Sequence, residues 1–177
     1  MNRLSAHASP FGAIRMVPLL ALTLVWGMVS LQAQTLTSEI TGFGPEGTTH
    51  RVYFDAPAGA QVLSVFASEA NPLSVTSSTS FHQEPGLPDV LGQNGLLIPG
   101  ADVDSWFSIG DGSLAGAANI GGAGWNLALS SFAAGGDFVC SDAAGGAFYL
   151  TPGSAQGAVS DALLMGQFTS TGSVDLQ

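Results

Sequence analysis

Leu36-Thr37-Ser38-Glu39-Ile40-Thr41-Gly42-Phe43, then Gly44-Pro45-Glu46-Gly47, then His50-Arg51-Val52-Tyr53-Phe54-Asp55 is the stretch that decides the fold. In an extended chain successive side chains point to opposite faces. Val52 and Phe54 therefore share one face, while Arg51, Tyr53 and Asp55 share the other. The Gly-Pro-Glu-Gly segment ends the first run and turns the chain. Gly42 to Gly47 also spells G-x-G-x-x-G, which binds a dinucleotide only where a strand of a βαβ unit leads into a helix. No amphipathic helix follows it, so it is read as a turn.

Moving outward, the same texture repeats. Short apolar runs at Gln61–Ser68, Leu73–Phe81, Ala101–Ile109, Trp125–Phe132, Asp137–Ser141, Ala147–Thr151, Ala162–Thr169 and Ser173–Gln177 are separated by Gly, Pro, Asn, Asp and Ser. Within Gln61–Ser68, Leu63, Val65 and Ala67 alternate with Val62, Ser64 and Phe66. Gly121-Gly122-Ala123-Gly124, Gly135-Gly136 and Gly145-Gly146 read as hairpin turns, since Gly reaches positive φ without steric cost. No run shows a helical period. Leu163-Leu164-Met165 has helical character by itself, but its β-rich surroundings outweigh it. The expectation is an all-β fold: an antiparallel β-sandwich, jelly-roll or Ig-like, of roughly ten short strands with Gly-rich turns. Residues 82–100, with three prolines and four glycines, predict a long irregular loop of the kind that often carries function.

Charge excludes several functions. The 177 residues include 3 Lys+Arg against 13 Asp+Glu. There is no lysine, and the basic residues are Arg3, Arg15 and Arg51. Such a chain lacks the cations to neutralise a nucleic-acid backbone or to hold anionic lipid. With 46% hydrophobic residues it is not a disordered acidic tail.

Residues 1–33 differ from the rest. Arg3 and Arg15 form a positive start, Met16 to Leu31 is largely apolar, and Gln32-Ala33-Gln34 is small and polar. This is the layout of a secretory signal, with cleavage expected after Ala33. The apolar run is shorter than the ~20 residues of a spanning helix. An uncleaved N-terminal anchor is the alternative. Residues 34–177 then form a single domain that keeps Arg51 as its sole basic residue. Arg51 is expected on a strand, placed to pair with a nearby carboxylate. The acidic exterior favours solubility in high salt, where self-repulsion is screened. The lone cysteine, Cys140, lies in an apolar run and reads as a buried, inert thiol, so the fold rests on packing without a disulfide.

Motifs for common chemistry are missing: no G-x-S-x-G, H-E-x-x-H, P-loop or EF-hand pattern is present. His82-Gln83-Glu84 places an imidazole near a carboxylate, too few ligands for a transition-metal site. The most informative segment is Asp102-Val103-Asp104-Ser105-Trp106-Phe107-Ser108-Ile109. As a strand it sets Asp102, Asp104, Trp106 and Ser108 on one face and Val103, Ser105, Phe107 and Ile109 on the other. Three readings follow. Trp106, Asp104 and Asp102 form a carbohydrate-binding surface, an aromatic plane flanked by acceptors. Asp102 and Asp104, with Asp111, ligate Ca2+ through oxygen. Or Trp106 is buried and the aspartates belong to turns and edges.

Arg51-Val52-Tyr53, Leu63-Ser64-Val65-Phe66, Thr76-Ser77-Ser78-Thr79-Ser80-Phe81, Asp104-Ser105-Trp106-Phe107-Ser108-Ile109-Gly110 and Leu163-Leu164-Met165-Gly166-Gln167-Phe168-Thr169-Ser170-Thr171-Gly172 carry a resemblance. In this order, from His50 onward, they resemble a module of unassigned function found in secreted and cell-surface proteins of marine bacteria, often Bacteroidetes chains with C-terminal secretion signals. The resemblance implies export and an extracellular role, and no known reaction. That pattern usually has Tyr where His82 stands. Its G-G-S-W-F run is matched by Gly145-Gly146-Ala147-Phe148-Tyr149, without the Trp.

The expected function is a secreted, non-enzymatic module that interacts or assembles with an extracellular protein or glycan surface. No nucleic acid is involved, and no membrane after the leader is removed. The alternative is a Ca2+-dependent carbohydrate-binding domain. A secreted hydrolase is the third reading, with no motif in its favour. No cofactor is implied, apart from Ca2+ in the alternative. The exported chain should begin at Gln34. Intact-mass spectrometry of the secreted protein checks this, and residues 1–33 retained in a membrane fraction would contradict it.

Overall fold

The computed structural model describes residues 35–90, 98–110, 119–151, 157–158 and 162–177. The proposed leader, residues 1–33, lies outside them. In chain order the elements are β1 (Thr35–Gly44), β2 (Gly47–Asp55), β3 (Ser64–Ala67), β4 (Leu73–Ser77), β5 (Trp106–Phe107), β6 (Asn119–Gly121), α1 (Ala123–Ala133), β7 (Phe138–Cys140), β8 (Gly146–Tyr149), β9 (Ala162–Ser170) and β10 (Val174–Leu176). Among the described residues no helix is long and apolar enough to cross a membrane.

The strands form three sheets, ordered β1-β2-β9-β5, β10-β4-β7 and β3-β8-β6, with every strand pair antiparallel. The fold is all-β and sandwich-like, as its alternating runs predict. β1 and β2, both expected as strands, pair as a hairpin in register Leu36↔Phe54 and Ser38↔Val52, closing at Gly44↔Gly47 around Pro45 and Glu46. Gly47 is needed on two counts. Its φ is 123°, and a Cβ there would strike the carbonyl of Ser170. Leu163-Leu164-Met165 is strand, inside β9.

Side chains from all three sheets meet in one core. Val52, Leu163, Phe107 and Phe168 come from the four-stranded sheet, Val75, Phe138 and Cys140 from the second, Ala67 and Phe148 from the third. Phe107 lies at the centre. Its ring centroid is 4.7 Å from Phe138, 5.0 Å from Phe132 and 5.3 Å from Phe168. These tilted and edge-on contacts suit the ring quadrupoles. Cys140 is buried, and burial, reinforced by the Asp142 charge, pushes its thiol pKa up, as expected for an inert cysteine.

Trp125–Phe132, expected as a strand, is instead α1. Trp125, Ala128 and Phe132 are spaced by three and four residues, so a helix places all of them on one face, where they are buried. A strand would have put Trp125 and Phe132 on opposite faces. The neighbouring glycines serve this helix rather than a hairpin. Gly122, at φ 101°, precedes it, and a Cβ there would strike the Cα of Gly146. The amides of Gly124 and Trp125 donate to the Gly145 carbonyl at 3.0 and 3.3 Å, which satisfies first-turn N–H groups that no side chain caps.

Phe107→Ala should cost about 3–5 kcal/mol, because the rings around it cannot all collapse into the space. Leu127→Ala, at a 70% exposed helix position, should stay within about 0.5 kcal/mol. Urea unfolding of both variants checks the contrast.

Candidate functional site

The segment Ala101–Ile109 is not one continuous strand. Residues 101–104 form turns in which the amides of Val103 and Asp104 both donate to the Gly100 carbonyl, at 3.2 and 3.1 Å. Trp106 and Phe107 pair with β9, opposite Gln167 and Gly166, and the amides of Ser108 and Gly110 donate to the Met165 and Leu164 carbonyls, both at 2.8 Å. The alternation that would align Asp102, Asp104 and Trp106 holds only for extended backbone, so that shared face does not form. Asp102 is exposed and Asp104 is buried. Trp106 is 0% exposed, and its Nε1–H donates to the Ala101 carbonyl at 3.1 Å. The indole therefore presents no plane to a sugar. Asp111 lies outside the described residues. Among the described residues no group of three or more His, Cys, Asp or Glu is placed to hold a metal ion.

The residues singled out here instead fasten a loop to the sheet. Gln167, fully buried, donates through Nε2 to the carbonyls of Ala101 (2.9 Å) and Asp104 (2.8 Å). Its Oε1 accepts from Arg51 Nε at 3.0 Å. That is where Arg51 is engaged, rather than on a carboxylate. The Ser105 hydroxyl donates to the Thr169 carbonyl and accepts from the Thr169 amide. The D-S-W-F and Q-F-T pieces thus bind each other. Trp106 closes a second small cluster with Ala101 and Leu164, flanked by Tyr53, Leu87 and Ile98.

Asp104 completes the fastening. Its Oδ1 accepts from the Glu84 amide at 2.7 Å. Burial raises its pKa above the ordinary 3.8, the Asp89 charge adds to the rise, and the amides of Glu84 and Ser105 and the His82 charge oppose it. His82 Nε2 lies 3.5 Å from Glu84 Oε2 and otherwise has no hydrogen-bond partner among the described residues. The His82 backbone is held from both sides: its amide donates to Thr169 O, and its carbonyl accepts from Ser105 N.

The open surface lies elsewhere. A cleft of about 530 Å³ runs between the β1–β2 end and β3, lined by Leu36, Phe54, Val62, Val65, Phe66 and Met165 among others. It shares Leu36, Val65 and Met165 with a deeper recess of about 70 Å³ that reaches Phe107 and Phe148. Leu36 also borders a third hollow, of about 280 Å³, with Val52 and Leu176. The size and apolar lining of the main cleft match those of binding pockets. The register sets Leu36, Ser38 and Ile40 on the side of Val52 and Phe54, facing the core layer. β1 nevertheless overhangs that layer, leaving Leu36 57% and Ile40 53% exposed. Strand alternation identifies this inward face, but only the packing shows that nothing among the described residues covers it.

Compared with known proteins, the chain matches no family model, and neither a curated protein nor a solved structure matches it.

The sign of the Asp104 shift gives a test. A carboxyl whose folded pKa is raised adds stability below the unfolded pKa, near 3.8, and loses it as pH rises through the folded value. The stability of Asp104→Asn minus that of the native chain should therefore increase from about pH 3.5 to about pH 7, whatever the constant offset from altered hydrogen bonds. Urea unfolding across this range measures it. A flat or falling difference would contradict the assignment.

Proposed function

We propose that the chain is a secreted, non-enzymatic β-sandwich module that attaches to or assembles with another extracellular surface through the apolar cleft beside β1. The observation that carries this reading is a contrast. The cleft and its rim hold exposed apolar side chains, Leu36, Leu63 and Phe66 (63% exposed), in a chain of 13 acids and no lysine. Exposed apolar side chains grouped around one cleft mark a site of interaction. The leader-like N-terminus and the resemblance to secreted modules support an extracellular setting. Side chains lining the main cleft are mostly hydrocarbon, with Gln61 and Ser64 as the polar exceptions. This favours a protein surface over a glycan, which needs many hydroxyl partners.

Labelled exported chain should be retained on the surface or secreted matrix of the producing cell. Phe66→Asp should weaken retention about tenfold or more, because a carboxylate resists burial, with no loss of melting temperature. Unchanged retention by Phe66→Asp would overturn the cleft as the contact. Melting with Ca2+ and with EDTA, followed by a glycan screen, tests the competing reading. A rise in Tm with Ca2+ together with a glycan hit would favour the carbohydrate-binding domain instead.

A further inference from the structure

Among the described residues β1 is the outer strand of the four-stranded sheet and pairs with β2 on one side only. The backbone groups along its other side form a template for a further strand. Proteins commonly blunt such edges with lysine, proline or a bulge. This chain has no lysine, and Thr35–Gly44 has no proline. A bulge is present, between Ile40 and Gly42, so Thr35 to Ile40 remains regular. One acid falls within β1, Glu39, and its Oε1 accepts from the Tyr53 hydroxyl at 2.7 Å.

We infer that β1 pairs with β1 of a second copy, antiparallel, about a two-fold axis through Ser38. The inference rests on the interaction-module reading above and names the partner. Two features on the strand select a second copy. The first is self-complementarity, which a closed two-fold contact requires. Centred on Ser38, the register sets Leu36 opposite Ile40 of the second copy twice over, on the inward face of both sheets. Thr37 then lies opposite Glu39, so no two carboxylates are directly opposed. Centring on Glu39 would oppose the two carboxylates, and centring on Thr37 would set Leu36 against Ser38. Like charges directly across a strand pair destabilise it, and apolar pairs support it.

The second feature is charge. After loss of residues 1–33 the chain carries one arginine against all thirteen acids of the sequence. β1 holds a single one of the thirteen acids, and the Ser38 register keeps the two copies of Glu39 apart, each opposite a Thr37. A two-fold perpendicular to the sheet keeps both inward faces on the same side. The two clefts, each bordered by Leu36, then meet at the seam.

Sedimentation velocity of the purified exported chain tests this. A closed dimer is expected, and it should strengthen from about 0.05 M to about 1 M NaCl, because salt screens the mutual repulsion of two acidic chains. An interface of ion pairs would weaken instead. Ile40→Lys should weaken association about tenfold or more by placing an uncompensated charge in the seam, with the Tm of the monomer at high dilution unchanged. Ser38→Cys should form a disulfide-linked dimer on mild oxidation, and Thr37→Cys should not, since only residue 38 meets its own copy. Cys140 is buried and will not compete. If Ile40→Lys does not fold, the cysteine pair still decides the register. A monomer at every concentration and salt, an open-ended polymer, or linkage at residue 37 in place of 38 would overturn the pairing. A monomer that still needs Phe66 for surface retention would overturn it while leaving the module reading intact.

Discussion

Trp106 and Phe107 leave a two-residue strand on opposite faces of one sheet, and the remaining architecture depends on burying both. Phe107 enters the aromatic centre where the three sheets and the helix meet. Trp106 seals the other face against Ala101 and Leu164. So short a strand has little ladder of its own, and pairing alone would hold it weakly. Two large aromatic side chains, each worth several kcal/mol on burial, supply what the backbone cannot.

That arrangement brings buried polar groups with it. The turn at residues 100–104 carries carbonyls under the surface that water cannot reach, and Gln167 reaches across from β9 to satisfy that of Asp104 and to share that of Ala101 with the Trp106 indole. An unsatisfied buried carbonyl costs roughly 1–3 kcal/mol, so a glutamine of the right length in the right register is a structural requirement. Arg51, the one arginine among the described residues, is spent on orienting that glutamine. The acids elsewhere are left without lysine partners, and the exterior is anionic. Against such an exterior the apolar lining of the cleft beside β1 stands out.

Much of the fold is legible from side-chain periodicity. Val52 and Phe54 alternate with Arg51 and Tyr53, and the observed pairing with β1 keeps Val52 and Phe54 on one face. Most of the other expected runs coincide with strands. The helix is the exception, because a short apolar run bounded by glycines suits a buried strand and a one-sided helix equally. The 3-and-4 spacing of Trp125, Ala128 and Phe132 was the available signal, and it is diluted by Leu127 and Leu129 on other faces. The candidate site was read less well for a related reason. Alternation through Asp102, Asp104 and Trp106 presumes an extended chain, whereas Gly100, at φ 88°, opens a turn that sends these side chains to different depths.

By itself the sequence determined the β class, the shared face of Val52 and Phe54, the buried cysteine and an acidic composition, because each follows from local periodicity or from a count of charges. Tertiary structure alone decided that Trp106 lies inside, that Gln167 and Arg51 are bound to each other, and that among the described residues β1 overhangs the core layer with its apolar face open. Those outcomes depend on which distant segments cover which face. Residues 51, 106 and 167 are brought together by sheet pairing across the chain, and no local pattern encodes where one layer ends and another fails to reach.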